Sequence, residues 1–169
     1  MAGAMAALLL VWAGWLWTAG DPVARLVDRA TAEHREYVEQ TMTAPVADPQ
    51  VVVRQLQGEV GYPFGPVFPG DSQEHMVAGR VSDLSGRRAV TFIYRDSAGR
   101  YTTLFLMPEA GILIPREGRL RIETFTPYHR EVAGRQVYLW PEGTLVYVLV
   151  SDLDQAGSAS MFLKIRKLM

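Results

Sequence analysis

The chain has 169 residues, 49% of them hydrophobic, and a formal net charge of −1. Charges of both signs are interspersed and form no basic stripe, so nucleic acid is not an expected partner. There is no cysteine, which excludes disulfides, cysteine-ligated zinc, iron–sulfur clusters and thiol catalysis. This length accommodates one domain of ordinary size beside an N-terminal apolar segment and a linker.

The first predicted element is an apolar segment, residues 2–19, that contains no charged side chain. As a helix it would extend roughly 27 Å, close to the hydrocarbon thickness of a bilayer. We therefore predict a single transmembrane anchor within residues 1–20, with the lipid bilayer as a partner. Indole rings favour the headgroup layer, and small residues four apart allow close helix approach. The predicted interface residues are Trp15 and Trp17, and the predicted membrane-helix contacts are Gly3, Ala7, Gly14 and Thr18.

Two alternatives to a retained anchor remain open for this segment. A cleaved signal peptide normally carries Lys or Arg before its apolar run, and here only Met1 precedes it. A buried core helix of a soluble protein normally has a polar face, which this segment lacks. The charges that follow it, including Arg25 and Arg29, favour a cytoplasmic C-terminal side only slightly.

An amphipathic helix is predicted next, in a stalk or linker over residues 21–47. Asp21 and Pro22 form a helix start, because aspartate caps free N–H groups and proline suits the first helical position. Apolar positions then recur at helical spacing as far as Val38, with His34 among them. The apolar stripe has to cover the following domain, the bilayer surface or a partner.

Residues 48–169 are predicted to form a small α+β domain with an antiparallel sheet of about five or six strands and one or two helices. Asp48 and Pro49 begin a short helix that ends near Gly58 or Gly61, and residues 61–71 form a packed loop rich in proline, glycine and aromatics. Strands are predicted at residues 75–84, 88–95, 101–107, 120–128, 136–140 and 144–151. The last segment, residues 153–169, is predicted as a closing helix, with a final strand as the alternative.

The sequence contains no recognisable catalytic, cofactor-binding or metal-binding signature. Its three histidines, His34, His75 and His129, lack the spacing of a metal site. No serine lies in a G-x-S-x-G motif, and the glycines near residue 61 do not open a helix as a phosphate loop would. We therefore expect a non-enzymatic protein without a cofactor.

Three segments together resemble transmembrane anti-sigma factors. They are ATAEHREYV at residues 30–38 with the following APV, GRVSDLSGRRAVTFIYRDSAGRYTTLFL at residues 79–106, and YLWPEGTLVYVLV at residues 138–150. The resemblance covers roughly residues 5–153 and implies that the soluble domain faces the periplasm of a bacterial inner-membrane protein. Members of that family carry a cytoplasmic zinc-binding, sigma-binding domain before the span, which this sequence is expected to lack.

The resemblance and the anchor together predict a membrane-anchored, non-enzymatic periplasmic interaction module. It would act as an accessory or assembly subunit that binds an integral membrane protein or complex. Two alternatives remain open. One is an envelope-signal sensor that resembles a truncated anti-sigma factor, and the other is a small-ligand-binding domain.

Overall fold

The computed structural model describes residues 21–40 and 44–169. The helices are α1 (Pro22–Glu39), α2 (Pro49–Val60) and α3 (Gln155–Arg166). The strands are β1 (Glu74–Leu84), β2 (Arg87–Asp96), β3 (Tyr101–Pro108), β4 (Tyr128–Val132), β5 (Arg135–Glu142) and β6 (Leu145–Ser151). The α+β class with an antiparallel sheet is thus confirmed, with six strands and three helices in the described residues.

All six strands belong to one antiparallel sheet in the order β1-β2-β3-β6-β5-β4. Four hairpins link successive strands within the two halves β1–β2–β3 and β4–β5–β6, and the pairing of β3 with β6 joins these halves. β3 and β6 are buried along almost their whole length. Antiparallel strands are usually buried on one side only, so burial on both sides means that helices or loops cover both faces of this sheet.

Helix α1 covers one face of the sheet. Asp21 caps it, with Oδ1 accepting from the Val23 backbone N–H at 2.9 Å. Its buried side chains include Leu26, Val27 and Tyr37, and the Tyr37 ring lies 6.3 Å from that of Phe105 on β3. The apolar stripe could have covered the following domain, the bilayer surface or a partner. In the described residues it packs on the sheet of the following domain.

Helices α2 and α3 and the loop at residues 61–71 cover the other face. Gly79 of β1 allows the close approach of α2, because a Cβ atom there would collide with the Val52 side chain. The predicted packing of the aromatic loop is confirmed, since the Tyr94 hydroxyl donates to the Phe68 carbonyl oxygen at 2.8 Å and their rings lie 5.7 Å apart. Both helices therefore pack on an aromatic core layer centred on the sheet.

Two further predictions were tested by the described residues. The closing helix is confirmed as α3, so the alternative of a final strand is wrong. The strand predicted at residues 120–128 is also wrong, because Ile122 and Phe125 form an isolated bridge around a tight turn. Glu123 in that turn has a φ of 52°, and the Phe125 ring packs edge-on at 6.0 Å from Phe162 of α3.

Candidate functional site

The residues predicted to contact membrane helices, Gly3, Ala7, Gly14 and Thr18, lie outside the described residues. The same holds for the predicted interface residues Trp15 and Trp17. Within residues 21–40 and 44–169, no helix is both long enough and apolar enough to cross a membrane. The anchor therefore stays a prediction, and the sites described below all belong to the folded domain.

A buried polar network connects α1 to the sheet. Helical spacing brings His34 onto the apolar stripe of α1, four residues after Ala30. There its Nδ1 lies 2.8 Å from the Thr103 hydroxyl of β3. Its Nε2 lies 3.2 Å from Oδ1 of Asp152, at ion-pair distance but without good hydrogen-bond geometry. Arg135 of β5 completes the network, with Nε donating to the same Asp152 oxygen at 2.9 Å.

The charge of Asp152 is favoured by its neighbours. Burial raises the pKa of this carboxyl, but the adjacent His34 and the positive charge of Arg135 outweigh burial, so that the pKa lies below its usual range. The Tyr101 carbonyl oxygen also accepts from the Asp152 backbone N–H at 2.9 Å, which fixes the backbone beside the carboxylate. The charged groups of the network, Asp152 and Arg135, are therefore partly exposed to solvent, whereas its uncharged hydroxyl, that of Thr103, is buried.

This network contains the functional groups of a nucleophilic catalytic site, but a substrate cannot reach them. A hydroxyl, an imidazole and a carboxylate are used together in such catalysis. Here the side chains of His34 and Thr103 are fully buried, so no substrate can contact them in this conformation. The arrangement instead connects α1 to β3 and β5 through directional polar contacts. We interpret these contacts as fixing the position of α1 on the sheet.

The other two histidines lie apart from this network. The His129 ring of β4 contacts that of Tyr138 in a tilted arrangement, with 4.9 Å between the ring centres, and its Nε2 lies 2.8 Å from the Gln136 side-chain oxygen. His75 is exposed at the start of β1 and lines a small pocket beside Pro45 and Met76. No group of three or more potential ligands among His, Cys, Asp and Glu is found in the described part of the chain.

A second charged cluster connects α3 to the start of β1. Lys164 Nζ contacts the Glu74 carboxylate and lies 2.8 Å from Oδ2 of Asp71. Burial raises the pKa of Asp71, but the hydrogen bond from Lys164 and those from backbone N–H groups outweigh it and hold the pKa well below its usual range. These ion pairs hold α3 against the end of the aromatic loop.

An open groove of about 430 Å³ lies between the aromatic loop and the β5–β6 turn. Phe64, Tyr147 and Met169 line it, together with prolines of the loop and the turn residues. Its acidic residue, Glu142, forms an ion pair with Arg166 at 2.6 Å. The groove thus offers mainly apolar contacts and a neutralised charge.

The end of the domain where α1 begins has an exposed apolar side chain. We call it the Leu113 end and define it as the first turn of α1, the β1–β2 turn at residues 85–86 and the loop at residues 109–116. A pocket of about 230 Å³ joins these three segments and is lined in part by Pro22, Arg25, Arg87 and Ile112. Leu113 is 86% exposed.

No protein-family model, no curated protein and no solved structure matches this chain. The resemblance to anti-sigma factors therefore remains an expectation from the sequence. Of the residues described here, His34 could have been found, because a polar side chain on an apolar helical stripe signals a buried partner. Its partners Thr103 and Asp152 could not, since they are distant in sequence and meet only through the pairing of β3 with β6.

Proposed function

We propose that this protein is a membrane-anchored, non-enzymatic interaction module, an accessory or assembly subunit that binds an integral membrane protein or complex. The proposal includes a bacterial inner-membrane location with the domain in the periplasm, which the resemblance to anti-sigma factors supports. A long translocated domain can override the slight charge bias towards the cytoplasmic side.

The observation that carries the proposal is the position of α1. The uncharged segment ends at Ala19 and α1 begins at Pro22, so the connection spans at most roughly 11 Å. α1 does not project from the domain, because its apolar stripe is buried on the sheet. A segment anchored before Asp21 would thus hold the whole domain beside the bilayer, within reach of a neighbouring membrane protein.

The polar residues of the domain support a binding role over a catalytic one. His34, Asp152, Lys164 and Glu74 are engaged with one another or with further side chains in contacts that connect helices to strands. Such contacts stabilise the arrangement of secondary structure, and they leave these groups committed to the fold. A role in contacting partners through its outer surface fits this distribution.

Photo-crosslinking in intact membranes tests the proposal. The photoreactive residue would replace Val51, which is 50% exposed on α2, or Asp28, which is exposed on α1 over the opposite face of the sheet. We expect at least one site to form an adduct with an integral membrane protein, and the native chain to migrate with that protein on blue-native gels in mild detergent. A chain that forms no adduct from either site and migrates alone would contradict the proposal.

A further inference from the structure

We propose that the Leu113 end is a second membrane contact, at which Leu113 inserts among phospholipid headgroups and nearby arginines bind their phosphates. This inference rests on the proposed function, because it assumes that residues before Asp21 anchor the chain. It adds an orientation, since two contacts with the same bilayer would fix how the domain stands on the membrane.

The position of the Leu113 end follows from the strand pairing. Leu84 at the end of β1 pairs with Arg87 at the start of β2, and Val90 pairs with Leu106 near the end of β3. The β1–β2 turn and the loop after β3 therefore leave the sheet at the same end. The pocket lined by Pro22, Arg87 and Ile112 brings the first turn of α1 to that end as well. An anchor entering α1 would consequently bring this end of the sheet to the bilayer surface.

The loop at residues 109–116 is held in a defined shape. Nη1 of Arg87 donates to the Ala110 carbonyl oxygen at 2.9 Å, and the Ile112 backbone N–H donates to the Glu109 carbonyl oxygen at 2.8 Å. Ile112 is buried in the core on the α1 side of the sheet, whereas the next residue, Leu113, is almost fully exposed. The bonds at its base thus position Leu113 on the outside of the loop.

Exposure of Leu113 to water is unfavourable. Removal of a leucine side chain from water is favourable, and no other described large hydrophobic residue is as exposed, since Val51 and Leu168 reach 50% and 43%. An isolated exposed leucine needs no explanation on a soluble protein. Here it lies at the end that the predicted anchor would bring to a bilayer, where its side chain would leave water.

The charges at this end suit phospholipid phosphates. Arg25 and Arg87 line the pocket, and Arg116 is exposed three residues after Leu113. Guanidinium groups bind phosphate through paired N–H donors, and each basic residue near an anionic membrane surface strengthens binding to it. The half-buried Glu109 lies in the same loop and the exposed Glu117 directly follows it, so we expect insertion of Leu113 to contribute more than net charge.

Fluorescence quenching by lipids tests this contact, and the native chain suits the test because it has no cysteine. The full chain would carry a single thiol, as Leu113→Cys or as the control Val51→Cys, labelled with bimane. Val51 lies on α2, where the next residue, Val52, packs against Gly79 in the middle of β1, and the five steps from Gly79 to Leu84 at the Leu113 end span roughly 17 Å. Both positions are exposed, so both variants should fold.

The labelled chains would be reconstituted in phosphatidylcholine vesicles containing one third phosphatidylglycerol and spin-labelled lipid. We expect the label at position 113 to be quenched several-fold more than the label at position 51. Equal, weak quenching at both positions in chains that float with the vesicles would overturn the second contact and leave the anchor intact. Failure of the chains to float would overturn the anchor, and with it this inference.

Discussion

Leu26→Ala should lower the free energy of unfolding by about 2–5 kcal/mol, the range for truncation of a buried leucine. Leu26 is almost fully buried between α1 and the sheet, in the same cluster as Val27, Phe105 and Val148. The substitution removes these contacts and leaves a cavity beneath the helix, without changing the charge of the chain. Urea denaturation of the full chain in detergent, followed by circular dichroism, would measure the effect.

The matched control for Leu26→Ala is Leu113→Ala, which removes the same atoms from an exposed side chain. In detergent it should change the free energy of unfolding by less than about 0.5 kcal/mol, as is usual at surface positions. If Leu26→Ala lowered the free energy of unfolding as little as Leu113→Ala, α1 would not be packed on the sheet. The domain would then be free to move away from its anchor.

Asp152→Asn should lower the free energy of unfolding by about 1–3 kcal/mol at neutral pH, as expected when a partly buried, hydrogen-bonded charge is removed. The carboxylate accepts from Arg135 and lies beside the buried His34, so its loss weakens two contacts that connect the residue after β6 to β5 and α1. The control Asp28→Asn makes the same change on the exposed side of α1 and should be close to neutral. The measurement is again urea denaturation of the full chain.

The effect of Asp152→Asn should depend on pH in a defined direction. The pKa of Asp152 is lowered in the folded protein, so its contribution is present above the unfolded value of about 3.9. The contribution is lost as the pH falls through the folded pKa. The difference in stability between the native chain and the variant should therefore shrink below about pH 4. A difference that stayed constant from neutral to acid pH would contradict the charged network.

The acid sensitivity of the second cluster does not interfere with this comparison. Asp71 also has a lowered pKa in the folded protein, so native chain and variant both lose stability as that carboxyl is protonated. Asp71 binds Lys164, whereas Asp152 binds Arg135, and the two carboxylates are distant in sequence. The contribution of Asp71 to stability should therefore be the same in both proteins and cancel in the difference. The variant therefore isolates the contribution of Asp152.

Local sequence patterns predicted most elements of the fold, because the residues that indicate a helix or strand lie within it or next to it in the sequence. Capping aspartates and prolines marked the starts of α1 and α2. The segment at residues 120–128 was mistaken for a strand because Leu120 and Ile122 alternate like strand residues. In the structure Phe125 packs on α3 and a turn at Glu123 reverses the chain.

Tertiary relationships could not be predicted in the same way. The sequence showed that α1 is amphipathic, but three different surfaces could have covered its apolar stripe, and only the packed structure identifies the sheet. The same limit applies to the network of His34, because Thr103 and Asp152 reach it through strand pairing over a separation of many residues. The exposure of Leu113 depends on bonds from Arg87, which local hydrophobicity does not reveal.

We propose that residues before Asp21 anchor a domain whose first helix packs on its sheet. Alkaline carbonate extraction of bacterial membranes containing the full chain tests it most directly. We predict that the native chain stays in the membrane pellet, and that Leu9→Arg, which places a charge in the apolar segment at a cost of about 2.5–3.5 kcal/mol, shifts it towards the supernatant. Release of the native chain into the supernatant would contradict a membrane anchor before Asp21.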